Sequence, residues 1–107
     1  MRLAALKDRG LAVALKEYLS HRLKEYGAVQ RVRIDSQKRT ISVELLLEGE
    51  TEPIEVVIEG FEIDGDAIRI TGLRASRPWI EKLLKSFVAG RPFDLPPQIA
   101  KLLEALF

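Results

Sequence analysis

Apolar residues recur with helical spacing across the first quarter of the chain. No proline interrupts residues 3–26, and at 100° per residue seven apolar side chains share one broad arc opposite charged residues: Leu11, Ala14, Leu15, Tyr18, Leu19, Leu23 and Tyr26. This pattern predicts an amphipathic helix that Gly27 ends as a C-cap would. Because Leu6 and Val13 project from the far side, either the helix is covered on two sides or Gly10 divides it into two pieces.

After this helix the apolar positions recur at every second residue. Two alternating segments, 30–35 and 40–48, flank the polar turn at residues 36–39 and predict a β-hairpin with Gln30, Val32 and Ile34 facing inward. One register buries both apolar sets and also opposes unlike charges on the outer face. It pairs Asp35 with Thr40, Ile34 with Ile41, Val32 with Val43, and Arg31 with Glu44.

A third strand is predicted from Ile54 onward, antiparallel to the second. We expect Ile54 to pair with Leu47, Val56 with Leu45, and Ile58 with Val43. After Gly60 the apolar positions change phase to Phe61 and Ile63, so one extra residue has to be absorbed. Glycine tolerates the necessary backbone angles best, and the pattern therefore predicts a bulge at Gly60.

The pair Gly65-Asp66 predicts a second hairpin, because glycine at the first central position favours a type II′ turn. Its register opposes Ile63 to Ile68 and Phe61 to Ile70, with a fourth strand over residues 67–73. A helix capped by Ser76 is expected from Pro78 to Gly90, followed by a proline-rich connection and a last helix that begins at Pro96-Pro97.

These elements predict a single domain, residues 1–107, of the α+β class. It has two layers: an N-terminal helix, a four-stranded antiparallel meander in the order 1-2-3-4, and two C-terminal helices, with the helices packed on one sheet face. The predicted core comprises Leu11, Leu15, Tyr18, Val32, Ile34, Ile41, Val43, Leu45, Ile54, Val56, Ile58, Phe61, Ile68, Ile70, Ile80, Leu83, Phe87, Leu102 and Leu103.

The three predicted helices carry more apolar surface than one face of this sheet absorbs, since four strands have room for about two helices. A third helix at the end of the layer, a second copy of the chain and an apolar ligand are the alternatives for what covers the surplus. The candidate interface or ligand surface consists of Leu6, Val13, Trp79, Leu84, Val88, Phe93, Leu106 and Phe107.

Charge is distributed unevenly, although the formal net charge is only +1. Residues 1–43 hold ten bases and four acids, residues 44–66 hold nine acids and no base, and residues 67–107 hold seven bases and three acids. The meander therefore places the acidic block beside the basic first strand.

A basic patch is predicted at Arg31, Arg33, Lys38 and Arg39, on or beside the outer face of the first strand. Such a patch can contact phosphates. However, no exposed aromatic pair accompanies it for base stacking, and Glu44 is placed to neutralise Arg31. Nucleic-acid contact is therefore the third interpretation of function.

Residues suited to catalysis or metal binding are few. His21 is the only histidine, and its neighbour Ser20 cannot face it on a helix. With no cysteine, a zinc site is not expected. Two loops carry clustered acidic residues: Glu48, Glu50 and Glu52 in the first, and Glu62, Asp64 and Asp66 in the second. Neither cluster matches a calcium-binding pattern, and both are interpreted as solvated. An enzyme that uses the second cluster is an alternative.

Composition and termini predict a cytoplasmic protein. No window approaches the roughly 18 consecutive apolar residues of a membrane span, and charged residues interrupt the apolar N-terminal stretch. The absence of cysteine fits a reducing compartment. The absence of asparagine beside abundant Glu, Arg and Lys is typical of thermostable or designed proteins, and a GC-rich genome gives a similar bias.

The segment from Leu73 to Pro96 is similar to stretches of tubular lipid-binding domains. The similarity lies in Gly72-Leu73 at a strand end, the W-I-x-x-L-L helix from Trp79 and the F-D-L-P sequence from Phe93, about a quarter of the chain. It implies a lipid-like ligand, for which the chain lacks the second half of a tube.

Together these features predict a small, non-enzymatic binding or assembly module without a cofactor. We expect it to form a homo-oligomer, most simply a dimer, or to bind another protein through its surplus apolar helix surface. A carrier of a lipid-like apolar ligand between sheet and helices is the alternative function.

Overall fold

A computed structural model describes the backbone of residues 3–107 and the side chains from Lys7 onward. Five strands form one antiparallel sheet in the order β1-β2-β3-β4-β5. The predicted α+β class is confirmed, but the sheet has five strands rather than four. The elements are α1 (Leu3–Arg22), β1 (Gly27–Asp35), β2 (Thr40–Leu47), β3 (Ile54–Asp64), β4 (Ala67–Ala75), α2 (Pro78–Val88), β5 (Pro92–Asp94) and α3 (Pro97–Leu106).

The fifth strand lies in the segment that was expected to be only a connection. Phe93 of β5 pairs with Ile68 of β4, and the backbone N–H of Leu95 donates to the carbonyl of Asp66 at 2.8 Å. Three residues beginning with proline are too short to show an alternating pattern, and proline is tolerated at the edge of a sheet. Pairing with β4 therefore determines this strand.

The helix α1 runs through Gly10 without a break and ends at Arg22, earlier than expected. A turn then leads into β1, with the backbone N–H of Gly27 donating to the carbonyl of Leu23 at 3.1 Å. A bulge between Val29 and Arg31 turns Val29 into the core and leaves Gln30 exposed. The expected inward orientation of Gln30 is therefore wrong.

The predicted registers of both hairpins are confirmed, whereas the register between them is wrong by two residues. Ile34 pairs with Ile41, and Ile63 pairs with Ile68. The register between β3 and β4 shifts at Gly60, as expected. Ile54, however, pairs with Leu45 instead of Leu47. A shift of two residues keeps every side chain on its face, so alternation alone does not distinguish these registers.

The core lies between the inner face of the sheet and the helices. The helices α1 and α3 pack against each other over one part of this face, where Phe61 and Phe107 meet edge to face with ring centroids 4.9 Å apart. The helix α2 covers Ile54 and Val56 in another part of it. Leu45 and Ile58 contact both groups of buried residues, so the helices share one sheet face.

Three residues of the predicted core are exposed: Leu83 and Phe87 of α2, and Leu102 of α3. The expected cap of α2 is also different, because Arg77 occupies the N-cap and provides no side-chain cap. Ser76 instead accepts a hydrogen bond from the Glu55 backbone N–H through its hydroxyl, at 3.0 Å. The junction between β4 and α2 is thus tied to β3.

Candidate functional site

The junction from β4 to α2 fixes how the helix is oriented on the sheet. The backbone N–H of Ala75 donates to Oε1 of Glu81 at 2.9 Å, and the backbone N–H of Ser76 donates to the carbonyl of Glu55 at 2.9 Å. Together with the Ser76 hydroxyl, these bonds connect the first turns of α2 to two strands. Rotation of α2 about its own axis would break the bond to Glu81.

One face of α2 packs against the inner face of the sheet. Ile80 is buried there, and the partly buried Leu84 and Val88 extend the contact along the helix. The sheet contributes Ile54, Val56 and Leu73 to the same cluster. The main contacts of α2 are to β4, whereas α1 and α3 contact each other. In the part of the chain that the structure describes, no neighbouring helix therefore covers the remaining apolar side of α2.

Three large apolar side chains line this uncovered side. Trp79 is 59% exposed, Leu83 is 61% exposed and Phe87 is 55% exposed. Residues four apart on a helix lie nearly above one another, so the three form a continuous ridge, here named the α2 stripe. Single exposed apolar residues are normal on a protein surface, but a contiguous row of three is typical of an interaction site.

The end of the α2 stripe at Phe87 is supported by its neighbours. The ring of Phe87 stacks on Phe93 of β5, with centroids 5.8 Å apart and planes at 29°. The guanidinium carbon of Arg91 lies 5.4 Å from the centre of the same ring. The stack connects the stripe to the sheet through Phe93, which packs against the core. The aromatic end is thus held in place while more than half of Phe87 stays accessible.

Charged residues of α2 lie away from the stripe. Lys82 is exposed, and Lys85 donates to Oε2 of Glu81 at 3.3 Å. The hydrogen bond from the Ala75 backbone N–H, and next the one from the Lys85 side-chain ammonium, lower the pKa of the Glu81 carboxyl below its ordinary value. Glu81 is therefore a structural carboxylate at neutral pH.

The remaining residues of the predicted apolar surface lie in different environments. The side chain of Leu6 is outside the described part of the structure, and Val13 is 56% exposed on α1. Phe93, Leu106 and Phe107 are partly buried against the core, as Leu84 and Val88 are on α2. Of the predicted set, only Trp79 belongs to the α2 stripe.

The other two residues of the α2 stripe, Leu83 and Phe87, were predicted to lie in the core. The apolar arc of α2 is wider than the sheet can cover, and Trp79 lies four residues before Leu83 and eight before Phe87. That spacing was a usable signal for a second apolar ridge. The spacing alone does not show which of the two ridges faces the sheet.

The predicted basic patch is divided between a strand and a turn. Arg31 and Arg33 are exposed on β1, and Arg31 lies opposite Glu44 of β2. Lys38 and Arg39 belong to the following turn, where Arg39 has a positive φ of 56°. The guanidinium carbon of Arg39 lies 5.8 Å from the centre of the Phe107 ring. Arg39 thus contacts the end of the core, and Arg33 and Lys38 line a cleft with α1.

The residues weighed for catalysis do not form a common site. His21 is exposed near the end of α1. Glu62 and Asp64 lie in the last residues of β3, and Asp66 lies in the turn that follows. Among the side chains described, residues 7–107, no group of three or more His, Asp or Glu is arranged to hold a metal ion. No helix within residues 3–107 is long and apolar enough to cross a membrane.

Comparisons with models of protein families, with curated proteins and with solved structures find no match to this chain.

Proposed function

We propose that this protein is a non-enzymatic assembly module that pairs with a second copy of itself through the α2 stripe. The observation that carries the proposal is the row formed by Trp79, Leu83 and Phe87, each more than half exposed on a helix whose other apolar side is buried. Removing such a row from water is favourable in proportion to its area.

The stripe is suited to pairing about a two-fold axis. It runs aromatic, aliphatic, aromatic, with Leu83 four residues from both Trp79 and Phe87. When two such helices pack antiparallel with the axis at Leu83, each Trp79 lies opposite Phe87 of the second copy. The same patch then serves both copies, as a closed two-fold interface requires. Aromatic side chains at the two ends provide most of the contact area.

The exposed apolar area of the stripe matches the apolar part of a small dimer interface. A large aromatic side chain buries about 150–250 Å² when fully enclosed, so the stripe presents on the order of 300 Å² per copy. Two copies together remove about 600 Å². The smallest specific interfaces bury about 1,200 Å², of which a little over half is apolar. The stripe thus supplies nearly the whole apolar part of such an interface, and we expect a reversible dimer in the micromolar range.

Sedimentation across a concentration series tests the proposal. The wild-type chain should shift from monomer to dimer, and Leu83→Glu should stay monomeric, because a carboxylate at the two-fold axis would face its own copy. Val13→Glu is the matched control: Val13 is equally exposed, but its neighbours on α1 are the charged Arg9, Lys16 and Glu17. This variant should dimerise as the wild type does.

The single tryptophan of the chain lies within the stripe and provides a second readout. Emission from Trp79 should move to shorter wavelength as the protein concentration rises, and Leu83→Glu should abolish that shift. A wild-type chain that stays monomeric at every concentration would contradict the proposal. If native mass spectrometry then found an apolar molecule bound, the lipid-carrier alternative would replace it.

The orientation of the pair can be tested in a chain that has no cysteine of its own. Leu83→Cys should form a disulfide-linked dimer on mild oxidation, since the two-fold axis brings both copies of this position together. Trp79→Cys alone should not, whereas a mixture of Trp79→Cys and Phe87→Cys chains should cross-link. Cross-linking of Trp79→Cys alone would mean that the helices do not pair in this way.

A further inference from the structure

We infer that a second site binds a small phosphate-bearing anion in the cleft between α1 and the β1–β2 hairpin. This open cleft has a volume of about 670 Å³, within the usual range of small-molecule sites. Residues of α1, β1, the following turn and the start of β2 line it. It shares no residue with the α2 stripe, so the inference is independent of the proposed dimer.

Three cations from separate segments are among the residues that line this cleft. Arg9 comes from α1, Arg33 from β1 and Lys38 from the turn, and all three are exposed. None of them makes an ion pair with any residue in the described part of the chain. Cations that line one cleft repel one another, and a bound anion relieves that repulsion. Arginine and lysine are also the side chains that most often hold phosphate.

Both carboxylates in the cleft wall accept hydrogen bonds from the turn between β1 and β2. Oδ1 of Asp35 accepts hydrogen bonds from the backbone N–H groups of Gln37 and Lys38, each at 3.1 Å. Oδ2 of Asp8 accepts from the backbone N–H and the hydroxyl of Ser36, each at 3.1 Å, whereas Oδ1 of Asp8 is buried without a partner. These bonds shape the turn and attach it to α1, so the carboxylates build the wall of the cleft rather than pair with its cations.

The rest of the lining suits phosphate oxygens rather than nucleic-acid bases. Gln37, Thr40 and Ser42 offer an amide and two hydroxyl groups as neutral donors, and Val32 and Ile34 form an apolar part of the wall. No aromatic residue is among the lining residues. Stacking on aromatic side chains supplies much of the affinity for single-stranded nucleic acid. The cleft therefore fits a small phosphate ester better than a polynucleotide.

Titration calorimetry with inorganic phosphate and pyrophosphate tests the inference. We expect saturable binding of one anion per chain that weakens as salt is added, because the contacts are ionic. Arg33→Gln and Lys38→Gln should each weaken binding about tenfold, and Arg9→Gln should do the same from α1. Arg69→Gln removes an exposed arginine that does not line the cleft and should bind as the wild type does.

Urea unfolding of each variant separates loss of binding from loss of folding, since exposed Arg→Gln and Lys→Gln changes are expected to leave stability within about 0.5 kcal/mol. Absence of saturable binding to both probes would overturn the inference, as would equal weakening by Arg69→Gln. A mixed-sequence oligonucleotide forms the other arm of the test. If the oligonucleotide bound and neither phosphate nor pyrophosphate did, the proposed small-anion site would be wrong, and an extended nucleic-acid-binding surface would replace it as the proposal.

Discussion

Asp8 accepts two hydrogen bonds from Ser36 through one carboxylate oxygen. The donors are the backbone N–H and the hydroxyl of Ser36, each 3.1 Å from Oδ2 of Asp8. The pair attaches the first half of α1 to the turn between β1 and β2. Oδ1 of the same carboxylate is buried without a partner. The contact therefore orders two elements that are far apart in sequence.

Asp8→Ala should lower the free energy of unfolding by about 1–3 kcal/mol, because the Ser36 backbone N–H loses its acceptor. Ser36→Ala should cost less, about 1 kcal/mol, since only the hydroxyl donor is removed. Urea denaturation measures both, and the double variant should cost less than the sum of the two. Asp64→Ala, at an exposed turn carboxylate, should change stability by under about 0.5 kcal/mol. Equal changes in the free energy of unfolding for Asp8→Ala and Asp64→Ala would show that the contact between Asp8 and Ser36 does not contribute to stability.

Gly27 and Gly10 should respond in opposite ways to alanine. A Cβ atom at Gly27 would lie 2.4 Å from the carbonyl oxygen of Leu46 and 2.8 Å from Cα of Leu47, and this backbone cannot move without disturbing β2. At Gly10 a Cβ atom would meet nothing within 4 Å. Gly27→Ala should therefore be strongly destabilising, whereas Gly10→Ala should stabilise α1 by about 0.5–1 kcal/mol.

Thermal unfolding of the two glycine variants, followed by circular dichroism, measures these effects. The melting temperature of the wild-type chain should lie between those of Gly27→Ala and Gly10→Ala. If Gly27→Ala had the same melting temperature as the wild type, β1 and the end of β2 would not approach each other as closely as the structure shows. A lower melting temperature for Gly10→Ala would indicate that α1 is not a continuous helix at this position.

The Glu81 carboxylate should make α2 sensitive to acid. Its pKa is lowered in the folded chain, chiefly by the hydrogen bond from the Ala75 backbone N–H and next by Lys85, so the folded state binds this proton less readily than the unfolded state does. Its contribution to stability is present above the ordinary pKa of about 4.5 and is lost as the pH falls through the lowered value.

Urea denaturation between pH 7 and pH 3 measures this contribution. Glu81→Gln should be less stable than the wild type at pH 7, and the difference should shrink as the pH falls below about 4.5. Glu104→Gln, at an exposed position of α3, should show no such trend. A constant difference between Glu81→Gln and the wild type across this range would contradict the assigned role.

Sequence periodicity predicted most of the meander because its hairpins are local. The short turns hold Ile34 near Ile41 and Ile63 near Ile68, so pattern and turn chemistry agree on one register. The loop before Ile54 is longer and allows registers that differ by two residues with the same faces buried. Only the packed structure shows that Ile54 pairs with Leu45.

The cleft between α1 and the β1–β2 hairpin, where we propose that an anion binds, could be predicted in part from the sequence. Arg33 and Lys38 are close in sequence and belong to the basic patch that the pattern predicted. Arg9 joins them only because α1 packs along β1 and Asp8 bonds to Ser36. Such a contact depends on how a helix lies across a strand, which periodicity in either element does not specify.

By itself, the sequence determined which residues of α2 are apolar and predicted that the helices carry more apolar surface than the sheet can cover. The tertiary structure decided which part of that surface remains exposed. Burial of apolar area has no preferred direction, so either ridge of the wide apolar arc of α2 could pack against the sheet. The hydrogen bond from Ala75 to Glu81 fixes the rotation of the helix. Ile80 therefore faces the core, and the stripe of Trp79, Leu83 and Phe87 faces outward.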